Sequence, residues 1–247
     1  MIPLKSEKDL ELMRVSGSIL AKILQELRRS IKAGVTTAYI DTVAESLMQR
    51  EKVKAAFKGY RGYPATICAS VNEEIVHGIP GERVLAEGDV FSLDIGISYE
   101  GFFSDAAITV GVGKLSTRDK KLVEVTRQAL AEGIKQAKVN NHLSDISNAV
   151  QNYVERYGFS VVRQFVGHGI GVQLHEEPEV ANFGMPNRGP VLKHGMVLAI
   201  EPMVNTGTWE SKILENGWTA VTADGLNSAH FEHTVAITND GPEVLTR

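Results

Sequence analysis

Residues 85–94, LAEGDVFSLD, can be laid over residues 192–201, LKHGMVLAIE, with leucine, glycine, valine, an aliphatic residue and an acid at the same offsets. A match of that length is harder to produce by chance than a shared helical period, and it sets Asp94 against Glu201. Further on, Phe102 to Val110, FFSDAAITV, resembles His230 to Thr238, HFEHTVAIT, and a shift of one residue sets Asp105 against Glu232. Upstream the correspondence continues into helices. Ser6 and Asp9 have capping-box spacing ahead of Leu12, Val15, Ile19, Leu20 and Ile23. Ser116 and Asp119 repeat that start signal ahead of Leu122, Val125, Leu130 and Ile134. Second helices fit Thr37 to Glu51 and about Leu143 to Tyr157. Each half, about 1–112 and 113–247, therefore reads helix, helix, strands. The pattern predicts one domain over residues 1–247, a duplicated α+β unit whose strands join in one curved, mainly antiparallel sheet covered by helices on one face.

Composition narrows the function without choosing it. The chain has 247 residues, 43% hydrophobic and 23% charged, with a net charge of -4, which gives no electrostatic reason to expect nucleic acid or an anionic membrane as partner. The one cysteine, Cys68, excludes an intrachain disulfide. The first residues carry Lys5, Glu7, Lys8 and Asp9 where a signal peptide needs an apolar run, and no stretch is long and apolar enough to span a bilayer. A soluble cytoplasmic protein is expected.

The four matched acids stand where a strand should be apolar. In DVFSLDIGISYEGFFSDAAITV, two strand-forming runs flank a Tyr-Glu-Gly turn signal. A hairpin centred near Tyr99 and Glu100 places Asp94 directly opposite Asp105, with Cβ atoms about 5 Å apart. Acids on the wet face of an edge hairpin would explain that pair. The same explanation is needed again for Glu201, in MVLAIEPMV, and a third time for Glu232, in SAHFEHTVAIT. At matched positions of a repeat it becomes weak. Four carboxylates converging on one sheet would repel and desolvate one another unless protonated or bound to cations. Two divalent ions balance their charge, and oxygen-rich ligation with one imidazole suits Mn, Fe(II) or Co better than a structural zinc site does.

Of seven histidines, His142 and His194 lie in polar contexts and read as surface residues. His168, between Gly167 and Gly169, ends a strand-like run where missing side chains leave room for a ligand. His175 follows closely beside Glu176 and Glu177, and His77 precedes a glycine at another strand end. The glycines of GHGIG do not form a dinucleotide loop, because VQLHEEPEV with Pro178 leaves no helix to face a pyrophosphate. No P-loop occurs, and Cys68 has no base nearby in sequence.

Asp94, Asp105, His168, Glu201 and Glu232 together resemble the five-ligand dinuclear site of the methionine aminopeptidases, in the short bacterial type I form. GYPATICASVNEEIVHGIP, LDIGISYEGFFSDAA, GHGIGVQLHEEPEV, LAIEPMV and FEHTVAIT occur in the family's order over essentially the whole chain. The resemblance implies the pita-bread fold, a pseudo-twofold pair of α+β halves, and two divalent metal ions (Co, Mn, Fe(II) or Zn). It implies that Asp94 chelates one ion, that Asp105 and Glu232 bridge, and that His168 and Glu201 complete the other. A water activated between the ions would be the nucleophile and Glu201 its proton shuttle, with His175 on the scissile carbonyl and His77 holding the peptide beyond the cut. Tyr60, Tyr63, Cys68 and Trp218, with Leu174 and Phe57, would form the methionine pocket. Two positions depart from the family: an aromatic residue is common where Leu174 stands, and a small one, frequently Cys, where Phe57 stands. The exchange either conserves pocket volume, moving bulk from one wall to the other, or alters the side-chain preference away from strict methionine specificity. His230 stands where a glutamine is common, and nothing in the sequence accounts for it.

The expected activity is removal of initiator methionine from nascent chains with a small second residue, by a monomer whose further partner is the ribosome near the exit tunnel. Bulky Ile2 should then leave this chain's own Met1 in place. The rival readings are a dinuclear aminopeptidase of other specificity, such as Xaa-Pro cleavage, and a non-catalytic peptide- or ribosome-binding member of the fold.

Overall fold

In the computed structural model, which describes residues 2–247, two long helices open the chain: α1 (Glu7–Ser30) and α2 (Thr37–Glu51). Met1, on which the expectation about methionine retention falls, lies outside the described residues. The Ser6 hydroxyl accepts from the Asp9 N–H while the Asp9 carboxylate accepts from the Ser6 N–H, the reciprocal cap read from the sequence. Ser116 caps α3 (Thr117–Gln136) through the Asp119 N–H, and α4 runs over Leu143–Arg156.

The site is built on one antiparallel sheet of nine strands. In chain order these are β1 (Lys54–Ala55), β2 (Cys68–Val71), β3 (Val90–Tyr99), β4 (Phe102–Gly111), β5 (Gly167–Gly169), β6 (Glu176–Val180), β7 (Val197–Ile200), β8 (Glu232–Thr238) and β9 (Gly241–Val244). Their spatial order is β1-β3-β4-β8-β7-β5-β6, with β2 alongside β3 and β9 alongside β8. It is the curled half-barrel of the pita-bread fold. The matched decapeptides occupy matched places: the Gly88 N–H donates to the Val112 carbonyl and the Gly195 N–H to the Ile237 carbonyl.

Strand alternation separates core from site. On β3, Phe91, Leu93, Ile95 and Ile97 are buried in one cluster with Leu20, Ile23 and Leu27 of α1 and Ile40 and Leu47 of α2. Asp94, one residue out of phase, faces away from the helices. In the second half Leu198 and Ile200 of β7 and Val235 and Ile237 of β8 pack with Leu130 and Ile146 from α3 and α4. Helices thus cover one face, and the acids are left on the other.

Two expectations about local geometry need correcting. The β3–β4 turn is centred on Glu100 and Gly101, one residue beyond the expected centre, because Tyr99 pairs with Phe102. Both turn residues have positive φ (48° and 84°), the requirement of a tight two-residue hairpin that glycine meets at least cost. Asp94 therefore faces Ala107 and Asp105 faces Gly96, so the two acids are diagonal neighbours on one face, not directly opposed. The glycines flanking His168 also have a different task from the one expected. A Cβ at Gly167 would strike the Ala199 carbonyl oxygen of β7, and one at Gly169 the Glu177 carbonyl oxygen of β6. The missing side chains admit neighbouring backbone, so that three strands close around His168.

The N-terminal segment is tied beneath the loop that carries His175. Lys5 donates to Glu176 at 2.5 Å, and their side chains are only 6% and 4% exposed. The Lys5 N–H also donates to the Gly195 carbonyl at 2.7 Å. Removing one partner of so buried a pair strands the other charge. Lys5→Met is expected to destabilise the protein by about 3–5 kcal/mol, read from urea unfolding midpoints; a loss under about 1 kcal/mol, the range of exposed pairs, contradicts the tie.

Candidate metal centre

Four carboxylates and one imidazole meet on the concave face. Asp94 comes from the middle of β3, Asp105 from β4, Glu232 from the first residue of β8, Glu201 from the residue after β7, and His168 from the centre of β5. Donor atoms of Asp105, His168 and Glu232 lie within 4.8 Å of one another. His168 Nε2 stands 3.5 Å from Glu201 Oε1. All five predicted ligands are thus brought together, from five separate strands or strand ends. The His168 Nδ1 atom lies 2.8 Å from the Gly169 carbonyl oxygen, which places the N–H on that side and turns the Nε2 lone pair toward the acids.

Electrostatically the cluster is uncompensated by protein. Asp94 Oδ1 and Glu232 Oε1 are buried without a hydrogen-bond partner. Burial raises the Asp105 carboxyl to about 7, against the pull of the Ala106 N–H. Burial first, then Asp105, raises Asp94; burial, then Asp94 and Asp105, raises Glu201. Glu232 rises for the same reasons, with burial first and Asp105 next. No Lys or Arg side chain lies in an ion pair with any of the four among the described residues. Orphaned carboxylate oxygens beside a lone-pair nitrogen are the donor set of divalent cations, so the residues present fit a metal pair.

The floor opens into a cleft of about 290 Å³. Its apolar wall holds Phe57, Tyr63, Cys68 and Leu174 in one buried cluster, with Tyr60 and Trp218 partly buried against it. All six predicted pocket residues line the cleft. Phe57 reaches the floor because Gly96 lacks a side chain: a Cβ there would lie 2.9 Å from the Phe57 ring and 3.2 Å from Asp105 Oδ1. Burial pushes the Cys68 thiol well up, which keeps it an unreactive part of the wall.

The two auxiliary histidines flank the floor. His175 stacks on Tyr60 (5.2 Å between centroids), its Nδ1 is 2.9 Å from the Tyr60 hydroxyl, and its ring centre is 4.2 Å from that of His168. Burial, then His168, Arg61 and His77, lowers its pKa to about 3, so it is neutral at ordinary pH. His77 has φ 60°, a left-handed backbone that costs a non-glycine residue energy and that the surrounding packing must hold. Its ring meets Phe165 edge-on at 5.6 Å and Trp218 at 6.4 Å. Glu176 and Glu177 stay outside the cluster: the first pairs with Lys5, the second is exposed. His142 and His194 also lie elsewhere, at the α4 cap near Gly189 and against Glu7. Sequence reasoning missed Phe165, Val166 and Met203 as lining residues, whose apolar character carried no signal, and assigned no place to His230, which is buried beside Glu201.

The profile of Metallopeptidase family M24 matches residues 11–239. A methionine aminopeptidase of Clostridium perfringens is 52% identical over 246 residues, covering 100% of this chain and 99% of that one. Methionine aminopeptidase 1 of Bacillus subtilis is 51% identical with full coverage of both chains. The crystal structure of the methionine aminopeptidase of Thermotoga maritima superposes with a TM-score of 0.98 at 47% identity, again over both whole chains.

Burial that raises a carboxyl pKa makes the folded state hold protons that the unfolded chain has released, so stability falls as pH climbs toward the raised value. The lowered pKa values of His168 (about 4) and His175 (about 3) act in the opposite sense, but only up to the ordinary histidine value of 6.5. Above that only the carboxylates count. Metal-free protein is expected to lose thermal stability from pH 6.5 to about 8, and excess Mn to abolish the loss; a flat or rising Tm in chelator contradicts uncompensated burial of the acids.

Proposed function

The chain belongs to metallopeptidase family M24, within its type I methionine aminopeptidases, and from that premise we propose that it removes the initiator methionine from new chains with a small second residue. The observation that carries the proposal is the five-donor floor set directly beneath an apolar cleft of single-side-chain size. Residues 1–247 work as one catalytic domain and as a monomer in the cytoplasm. The substrates are N-termini of nascent proteins, met near the ribosomal exit tunnel. No helix among the described residues is long and apolar enough to cross a membrane.

Asp94, Asp105, His168, Glu201 and Glu232 would hold two divalent ions, of Co, Mn, Fe(II) or Zn. When bound, the pair supplies Lewis acidity that brings the pKa of an attacking water toward neutrality. Glu201 takes the proton from that water on a carboxylate oxygen and returns it to the leaving amine. His175, neutral and with Nδ1 engaged by the Tyr60 hydroxyl, turns Nε2 to the cleft to hydrogen-bond the scissile carbonyl as charge develops on its oxygen. His77, fixed between Phe165 and Trp218, holds the peptide beyond the cut. Phe57, Tyr60, Tyr63, Cys68, Leu174 and Trp218 receive the unbranched methionine side chain in apolar surroundings and exclude water from it. Phe57 and Leu174 belong to the same buried cluster.

The proposal is tested with chelator-stripped protein and the peptides Met-Ala-Ser, Leu-Ala-Ser and Ala-Pro. Methionine release that depends on added Mn, Fe(II) or Co is expected; preferential Ala-Pro cleavage, or no metal-dependent release, rejects it. Glu201→Ala is expected to lower kcat by about 10²–10⁴-fold and His175→Ala by about 10²–10³-fold, each measured by methionine release under saturating metal.

A further inference from the structure

His230 is buried to 1% exposure, and its Nε2 atom has no hydrogen-bond partner. It lies two residues before Glu232, so the near-extended chain turns both side chains to the same side. The backbone there is held firmly: Thr109 Oγ1 donates to the His230 carbonyl at 2.7 Å and accepts from the His230 N–H at 2.8 Å. An unpartnered polar nitrogen at such depth costs free energy unless something takes up its lone pair or proton.

What it faces is the acid floor. His230 Nε2 is 3.6 Å from Glu201 Oε2, and donor atoms of Glu201, His230 and Glu232 all lie within 4.8 Å of one another. Glu232 Oε1 is itself buried without a partner. The 3.6 Å separation is longer than a hydrogen bond between an imidazole and a carboxylate. It matches the 3.5 Å from His168 Nε2 to the other oxygen of Glu201. Two donors about 2.1 Å from a shared tetrahedral ion lie roughly 3.4 Å apart, which both separations approach. Glu201 thus stands between two imidazoles, with one oxygen toward each.

We propose that His230 is a second imidazole donor of the metal centre, its Nε2 joining Glu201 Oε2 and Glu232 around one ion. The assignment rests on the metal-centre reading of the five-donor floor and enlarges it to six donors. The unpartnered Nε2 atom offers its lone pair to a cation. A second nitrogen donor shifts the centre from nearly all oxygen toward mixed ligation, which favours later first-row divalent ions over Mn.

The test counts imidazoles rather than turnover. In Co(II)-loaded protein, each ligated histidine gives one paramagnetically shifted, solvent-exchangeable ring N–H proton in the proton NMR spectrum. Two such signals are expected in the unaltered chain, one lost in His230→Gln and the other in His168→Gln. Calorimetric titration of His230→Gln with Co(II) is expected to show binding of one ion weakened about 10–100-fold. If glutamine disturbs the packing, His230→Asn replaces it, and the count in the unaltered chain stands without either variant. One signal only, or two that both survive His230→Gln, overturns the assignment and leaves the five-donor centre intact. Absence of any shifted signal, with no Co(II) bound, overturns the metal-centre reading as well.

Discussion

Mutual repulsion among four carboxylates, two buried and two half-buried, is the constraint from which the rest of the structure follows. Asp94, Asp105, Glu201 and Glu232 reach one floor, and neither lysine nor arginine answers them in an ion pair among the described residues. Such a cluster persists in a fold only if protons or cations neutralise it. His168 and His230, buried beside it, are pressed toward neutrality by the same burial. The site is therefore set to be completed from outside, and folding and metal binding are thermodynamically linked.

Geometry gives that charge cluster a direction. Helix-facing positions of β3, β7 and β8 are apolar and bind the sheet to the helices, so every acid one step out of phase is delivered to the opposite face. The curl of the sheet makes that face concave and brings strand ends from both halves together. Apolar side chains then line the cleft above the floor, with His175 stacked on Tyr60 and His77 against Trp218. A long apolar side chain enters while the polar chemistry stays at the base. The chain's membership in the M24 family and its near-identity of fold with a Thermotoga maritima methionine aminopeptidase agree with that division.

The sequence is a sufficient guide where the physics is local. The caps at Ser6 and Ser116 needed only three-residue spacing, and the duplicated decapeptides placed Asp94 and Glu201 at equivalent strand positions. The hairpin register was not legible to the residue: an Asp94–Asp105 pair facing squarely gives way to a diagonal one, because a two-residue turn with positive φ selects Glu100–Gly101. The glycines around His168 were legible as a close approach but not as to what approaches, since strands β6 and β7 come from later in the chain. Lys5 and Glu176, 171 residues apart, left no trace in spacing. His230 was visible as an oddity, and only burial beside Glu201 turned it into a candidate donor.

The central claim is that the concave floor is a divalent-cation site formed by these acids. Calorimetric titration of chelator-stripped protein with Mn or Co(II) addresses it most directly, because it depends on neither substrate nor turnover. Two ions bound per chain, reduced to one or none in Asp105→Asn, is the predicted result. No saturable binding, or a stoichiometry and affinity unchanged by Asp105→Asn, would contradict it.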